Sequence, residues 1–286
     1  MLQRSTIQLL RFHFSFFLLP VYLFALGMVP VMDTKAAWLV FIILHLLVYP
    51  ASNGYNSYMD RDEGSIGGLE KPMQPTKQLF YVTIAMDLLA VVLSFFISTI
   101  FAAGIVAYIL ASRAYSYRGI RLKQYAVAGY ATVVLFQGAV TFFLVYHACS
   151  EDKSLKAPPG GIIAAALLIG AFYPITQVYQ HEADRKDGVQ TLSALLGIRG
   201  TFIFTACLYA AAMVVLAWLF WQRHQSMNFY IIATAMLPAL VYFFSWASAV
   251  WKNTSMADFR RTMQMNLIAS LCSNLAFLII LTGRFI

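Results

Sequence analysis

Two thirteen-residue segments of the chain carry the same kinds of polar side chain at the same spacing. They are YPASNGYNSYMDR, which begins at Tyr49, and YPITQVYQHEADR, which begins at Tyr173, so they are offset by 124 residues. Each has two carboxamides and a carboxylate at positions i, i+3 and i+7. These are Asn53, Asn56 and Asp60 in the first row, and Gln177, Gln180 and Asp184 in the second. Such positions share one face of a helix, so the repeat predicts two matching polar rows that form one shared site.

The acidic residues of the chain concentrate around these two rows. Six of the twelve lie there: Asp60, Asp62, Glu63, Glu182, Asp184 and Asp187. Carboxylate and carboxamide oxygens favour Mg²⁺ over a soft transition metal. The basic residues expected around them are Arg61, Lys71, Lys77, Arg118, Arg121, Lys123, Arg185 and Lys186. Acids that hold a cation and are surrounded by bases suit a diphosphate.

The elements that must position these residues are membrane helices. The chain is 60% hydrophobic and only 11% charged, with a mean hydropathy of +0.71, whereas soluble domains are about 25% charged. Nine apolar stretches are long enough to span a bilayer. They lie near residues 12–32, 36–59, 79–99, 101–117, 125–147, 161–180, 201–221, 229–251 and 264–282. We therefore predict an all-α integral membrane protein with about nine transmembrane helices.

The distribution of basic residues predicts the orientation of these helices. With a cytoplasmic N-terminus, fifteen of the twenty Lys and Arg residues fall on the cytoplasmic side, as the positive-inside rule requires. Five fall on the other side: Lys35, Lys153, Lys156, Arg223 and Arg284. Both polar rows then lie at cytoplasmic helix ends. They lie in helices 2 and 6, an offset of four, which predicts a parallel four-plus-four repeat over about 12–125 and 126–251, with a ninth helix appended in one domain of 286 residues.

Two classes of function are disfavoured by the sequence. The pI of about 9.4 could indicate nucleic-acid binding, but the sorting of basic residues by membrane side explains it, so no nucleic-acid partner is expected. The three cysteines lack the spacing of metal ligands, so no zinc site is expected.

Together these motifs resemble the UbiA superfamily of intramembrane prenyltransferases, and the resemblance extends over essentially the whole chain. The first motif of that family corresponds to NSYMDRDEG, with Asn56 and Asp60 followed by Lys71 and Pro72. Its second motif corresponds to QHEADRKDGVQTL, which supplies Asp184, Gly188, Thr191 and Leu192. Its basic segment corresponds to YSYRGIRLKQ, which supplies Tyr115, Ser116, Leu122 and Lys123. The sequence departs from the motifs at Ser57, Gly64 and Gln180, where the family usually has acids.

The resemblance implies transfer of a polyprenyl group from an isoprenoid diphosphate to a lipophilic or aromatic acceptor, with Mg²⁺ as cofactor. It implies that Asp60, Asp184 and Asn56 hold the metal, and that Gln180 ligates the metal or orients a ligand. The expected substrate-binding residues are Asn53, Gln177, Arg61, Lys71, Tyr115, Arg121, Lys123, Arg185 and Lys186. The expected location is the bacterial cytoplasmic membrane.

Alternatives remain open at the level of the sequence. The carboxamides could be interhelical hydrogen-bond partners, and the bases could be topology anchors at the lipid surface. Asp87 lies about 12 Å along its predicted helix from Leu79. It could bind the acceptor, but a structural partnership within the helix bundle is favoured at that depth. The same fold could serve an isoprenoid diphosphate cyclase or hydrolase. A transporter or binding protein is a further alternative, although acids on one membrane side favour an enzyme.

Overall fold

The computed structural model describes residues 1–283, so Arg284 lies outside the described residues. Within that range there is no β-strand, only two isolated bridges, and the predicted all-α class is confirmed. The helices are α1 Arg4–Leu10, α2 Leu19–Met28, α3 Thr34–Asp60, α4 Lys77–Ser94, α5 Thr99–Ser116, α6 Ala126–Cys149, α7 Pro159–Ile175, α8 His181–Lys186, α9 Leu192–Gln222, α10 Ser226–Ala235, α11 Leu237–Lys252 and α12 Phe259–Thr282. Short 3₁₀ segments occur at Phe12–Phe17, Leu122–Gln124 and Thr254–Met256.

Six of the described helices are long and apolar enough to cross a membrane: α3, α4, α5, α6, α9 and α12. Two bent pairs raise the number to eight if each pair is one span. These are Arg4–Phe17 with α2, bent by 42°, and α10 with α11, bent by 43°. The apolar helix α7 has only 17 residues, a rise of about 25 Å. The chain is an integral membrane protein, but the predicted count of nine spanning helices is not confirmed.

The bends have local causes in the sequence. Pro20 and Pro238 lie in the first turns of α2 and α11, where proline is tolerated because the first amides of a helix lack intrahelical acceptors.

Two π-helical turns interrupt spanning helices, at Ile42–Val48 in α3 and at Val134–Val140 in α6. A Cβ on Gly138, in the second π turn, would lie 2.7 Å from the Cα of Ala166. Glycine therefore permits the close approach of α6 and α7.

The centre of the core is aromatic and joins distant parts of the chain. The ring of Phe24 on α2 lies 5.0 Å from that of Phe142 on α6 and 4.9 Å from that of Phe277 on α12. Each of these rings is almost fully buried. The first, middle and last parts of the chain thus pack together around one interior, while the four-plus-four repeat with its proposed boundaries stays a prediction.

Candidate active site

Both polar rows line one cavity of about 960 Å³. Its wall includes all six repeated side chains: Asn53, Asn56, Asp60, Gln177, Gln180 and Asp184. The structure therefore brings together two segments that are 124 residues apart in the sequence. The other end of the cavity is apolar and is lined by the rings of Phe24, Phe136, Phe172 and Phe277. One cavity thus joins an acidic end to a hydrocarbon-like end.

The first row lies on a regular helix, as predicted. The part of α3 from Tyr49 to Asp60 is α-helical, so Asn53, Asn56 and Asp60 share a face. The Oδ1 atom of Asn56 accepts a hydrogen bond from Ser116 Oγ at 2.8 Å. This contact fixes the carboxamide against α5.

The second row does not lie on one helix, and the expectation of a continuous helical face is wrong here. Helix α7 ends at Ile175, Gln177 and Gln180 lie in the following turn, and Asp184 lies on the separate helix α8. Pro174 lacks the amide that would bond to the carbonyl of Gly170, and that carbonyl accepts from Tyr130 Oη at 3.2 Å instead. The turn continues with Gln180 N donating to the Gln177 carbonyl at 2.9 Å.

Asp60 is paired with bases from the loop that follows α5. Its carboxylate forms an ion pair with Lys123 Nζ, and Arg121 Nη2 lies 3.9 Å from its Oδ1. Arg121 also pairs with Asp187, next to α8, and donates to the Asp187 carbonyl at 3.0 Å. Arg118 lies 3.6 Å from the same carboxylate. This charge network ties the first row to the segment that carries the second.

Asp184 lies in a different environment. Its buried Oδ2 has no hydrogen-bond partner among the described residues. Burial raises the pKa of Asp184 to about 7; Lys123 opposes this rise, and Asp62, Asp60 and Asp187 add to it. Burial, followed by the charge of Asp60, also raises the pKa of Asp62. The acidic end therefore favours a bound cation, because a nearby positive charge stabilises these carboxylates.

The residues present fit a magnesium ion that is shared with a phosphate ligand. Within the two polar rows, three buried oxygens lack a hydrogen-bond partner among residues 1–283: Asp60 Oδ1, Asp184 Oδ2 and Gln177 Oε1. Among residues 1–283 no group of three or more His, Cys, Asp or Glu side chains is placed to hold a metal. Mg²⁺ in proteins is commonly held by one or two carboxylates plus substrate phosphates rather than by an all-protein cage. Two carboxylates and nearby carboxamides match that pattern.

The other predicted site residues divide into two groups. Tyr115, Lys123 and Lys186 line the cavity, and Lys186 also pairs with Glu182 at 3.0 Å. The remaining four, Arg61, Lys71, Arg121 and Arg185, lie outside the cavity wall formed by the described residues. Arg121 is buried, and the other three are exposed.

Arg61 ends α3 with a left-handed backbone, φ 54°, and its guanidinium lies over the Tyr58 ring at 5.9 Å. The structure therefore does not place Arg61 among the cavity residues.

Sequence reasoning missed several cavity residues. Tyr173 hydrogen-bonds to Tyr115 through their hydroxyls and accepts from Gln177 Nε2 at 3.1 Å. Asn266 and Ser270 of α12 also face the cavity. Tyr173 is the aligned partner of Tyr49 in the repeat, which is a usable signal. The polar residues of α12 lie outside both repeats, and nothing in the repeat pattern marks them.

The departures from the family motifs differ in their surroundings. Ser57 is 3% exposed and is absent from the described cavity wall. Gly64 lines the cavity, and a Cβ there would meet no atom within 4 Å in the described residues.

Asp87 pairs with Arg113, whose guanidinium lies 3.9 Å from the centre of the Tyr55 ring. The expected structural partnership of Asp87 is confirmed.

Comparison with known proteins agrees with this architecture. A UbiA homolog from Archaeoglobus fulgidus bound to GPP and Mg²⁺ has a TM-score of 0.72 and 19% identity, covering 97% of this chain and 99% of that one. The same homolog bound to DMAPP and Mg²⁺ has a TM-score of 0.72, 18% identity and the same coverage. An apo UbiA homolog from Aeropyrum pernix K1 has a TM-score of 0.69 and 16% identity, covering 93% of this chain and 97% of that one.

No curated protein matches the chain significantly. At these low identities the solved structures establish a shared fold. The model of the UbiA prenyltransferase family matches residues 15–268, which is most of the 286 residues. The chain belongs to the UbiA prenyltransferase family.

Proposed function

We propose that the protein transfers a polyprenyl group from an isoprenoid diphosphate to a lipophilic or aromatic acceptor within the membrane. One observation carries the proposal: a single cavity has acids and bases at one end and aromatic rings at the other. An isoprenoid diphosphate has the same polarity, with a charged head and a hydrocarbon tail. The relatives solved with DMAPP or GPP and Mg²⁺ support this choice of donor.

In this proposal the polar end binds the diphosphate. Asp60 and Asp184 hold Mg²⁺ with Asn56, and Gln177 and Gln180 supply or orient oxygen ligands. Magnesium, when bound, would neutralise charge on the diphosphate oxygens and so favour their departure.

Lys123 and Arg121 already lie at this end, in contact with Asp60 or close to it. Their ammonium and guanidinium groups can bind phosphate oxygens when the substrate enters. The Tyr115 and Tyr173 hydroxyls line the same part of the cavity.

The reaction has a simple bond balance. The allylic C–O bond breaks, and its electron pair leaves with the diphosphate. A nucleophilic atom of the acceptor supplies the electron pair of the new bond and loses a proton. The apolar end of the cavity protects the allylic cation by excluding water, since its wall there consists of aromatic and aliphatic side chains.

The N-terminus and the acidic end are proposed to face the cytoplasm, as the distribution of basic residues indicates. A single cysteine introduced at the exposed Glu70, in a variant without native cysteines, should resist an impermeant thiol reagent in intact cells. Labelling in intact cells would contradict this orientation.

The test of function uses purified protein, a labelled isoprenoid diphosphate and a membrane lipid extract across a magnesium titration. Transfer predicts magnesium-dependent diphosphate release together with a labelled prenyl adduct. Diphosphate release with a free prenyl alcohol or a cyclic product would favour the hydrolase or cyclase alternative. No release from donors of any length would contradict the proposal and favour a binding or transport function.

A further inference from the structure

Helix α12 carries a row of polar side chains along an otherwise apolar span. Asn266, Ser270 and Asn274 are spaced by four residues, so they share one face of the helix. Each is less than a tenth exposed, at 6%, 8% and 4% respectively. Polar side chains inside membrane helices commonly hydrogen-bond to a neighbouring helix, so each of the three is expected to have a partner.

Only the last of the three has a hydrogen-bond partner among the described residues. Asn274 Nδ2 donates to the Phe16 carbonyl at 3.4 Å, and this bond holds α12 against the first part of the chain. The side chains of Asn266 and Ser270 form no hydrogen bond with any described residue, and both line the cavity. Buried polar groups without partners are costly, so this pair favours a ligand that can hydrogen-bond.

The pair lies between the two ends of the cavity. Met263, three residues before Asn266, accepts from the Gly68 amide at 3.3 Å, and Gly68 belongs to the loop that follows the acidic end of α3. Phe277, seven residues after Ser270, belongs to the apolar end. These separations correspond to about 4.5 Å and about 10 Å along the helix. In an isoprenoid diphosphate the reacting carbon lies at the same junction, between the charged head and the hydrocarbon tail.

The chemistry of the pair suits an uncharged group of a ligand. A carboxamide supplies two N–H donors and an acceptor oxygen, and a hydroxyl both donates and accepts. Neither is charged, so neither offers a diphosphate the charge-assisted hydrogen bonds that Lys123 can give it. The polyprenyl chain has no group that hydrogen-bonds to either side chain. A ligand that satisfies the pair therefore carries an uncharged polar group.

We propose that Asn266 and Ser270 bind an uncharged hydroxyl or carbonyl group of the acceptor. This inference rests on the proposed function, in which the donor consists of a diphosphate and a hydrocarbon chain, so the uncharged polar group belongs to the other substrate. Two side chains one helical turn apart hold this group in a fixed orientation. A site built to hydrogen-bond a polar group rejects analogues that lack it, so the pair selects the acceptor.

Binding of small probes tests the pair without a donor and without turnover. Thermal unfolding of the full chain in detergent at neutral pH is measured with naphthol or with methylnaphthalene, which are similar in shape but differ by a hydroxyl group. We expect naphthol to raise the unfolding temperature more than methylnaphthalene does. A second series with inorganic pyrophosphate and magnesium reports on the diphosphate end in the same preparation.

Variants assign the effect to the pair. Asn266→Leu should weaken naphthol binding roughly tenfold, because it removes hydrogen bonds to a buried ligand group, and Ser270→Ala should weaken it by a smaller factor. Both should leave the response to pyrophosphate unchanged. Without a ligand, Asn266→Leu should keep or raise the unfolding temperature, because it removes a buried polar group that has no partner among the described residues.

The matched control is Gln264→Leu. It removes a carboxamide of the same helix that is exposed, accepts from Tyr242 Oη at 2.9 Å and lies outside the described cavity wall. This variant should respond to naphthol like the wild type. If Asn266→Leu does not fold, the Ser270→Ala result decides.

Three outcomes would overturn the inference. The first is equal stabilisation of the wild type by methylnaphthalene and naphthol, and the second is a wild-type response to naphthol in both Asn266→Leu and Ser270→Ala. The third is loss of the pyrophosphate response in Asn266→Leu, which would assign the pair to the donor. Because binding is measured without a donor, naphthol binding that depends on the pair in a protein that never releases diphosphate would support this binding site and contradict only the proposed prenyl transfer.

Discussion

The two polar rows have similar sequences but different structures. Asn53, Asn56 and Asp60 follow one regular helix to its last residue. Gln177 and Gln180 lie in a turn beyond α7, and Asp184 lies on a separate six-residue helix. Each row has a buried carboxylate oxygen without a hydrogen-bond partner among residues 1–283, but the carboxylate of Asp60 forms an ion pair with Lys123, whereas that of Asp184 forms none with the described residues.

This difference indicates a division of roles. The first row lies on a continuous helix and its carboxylate is paired with Lys123, so Asp60 holds the basic loop as well as facing the cavity. The second row is attached through hydrogen bonds and the Arg121–Asp187 pair, and its carboxylate is unbalanced. A bound cation would therefore stabilise the carboxylate of Asp184 more than that of Asp60.

The largest expected effect is a loss of activity, and it is the same for both rows. Asp60→Asn and Asp184→Asn should each lower prenyl transfer about 100-fold or more, since each removes a charged oxygen where diphosphate charge must be balanced. Rates of diphosphate release measure this loss. The control is Glu70→Gln, an exposed acid of the loop after α3, which should keep wild-type activity. Full activity in either Asn variant would remove that row from the mechanism.

Stability should separate the rows. Asp60→Asn leaves Lys123 buried without its partner and should cost about 3 kcal/mol of unfolding free energy. Asp184→Asn should change it by close to zero or raise it, because the carboxylate it replaces is unpaired and destabilised by burial. Reversible unfolding in mixed micelles compares the two variants. Equal losses would show that the pairing difference has no energetic consequence.

The pH dependence of stability should sharpen the comparison. The pKa of Asp184 is raised from 3.8 to about 7, so the folded state binds that proton more tightly than the unfolded chain. The stability gained from the tighter proton binding at Asp184 is fully present below about pH 4 and is lost as the pH rises to about 7. Without magnesium, wild-type stability should therefore fall relative to Asp184→Asn over this range. A constant difference between the two proteins would contradict the raised pKa.

The smallest expected effect concerns the missing acids. Gln180 lines the cavity, so Gln180→Asp should strengthen apparent magnesium affinity by about 1 kcal/mol, roughly fivefold. Ser57 is buried away from the described cavity wall, so Ser57→Asp should lower stability without strengthening magnesium binding. Magnesium titrations of diphosphate release measure both variants. Tighter binding in Ser57→Asp alone would reverse the assignment.

Several features were determined by the sequence alone. The hydropathy of long segments identifies membrane helices, because a bilayer of fixed thickness requires apolar stretches of a given length. The repeated residues identify a shared site, and all six repeated positions line the same cavity. The family follows from motifs whose order and spacing are visible in the chain. These inferences depend on local composition and on periodicity.

The tertiary structure decided what depends on contacts between distant residues. Pro174 has a counterpart in Pro50, yet only the second row is broken, and Tyr130 satisfies the carbonyl that the proline frees. Lys123 binds Asp60 across 63 residues, while the guanidinium of Arg11 turns from the first helical segment into the cavity. No local pattern specifies such pairings, because they follow from how the helices pack. The sequence therefore determined the two repeated rows of the site, and the packing determined which other residues join them and which groups are paired.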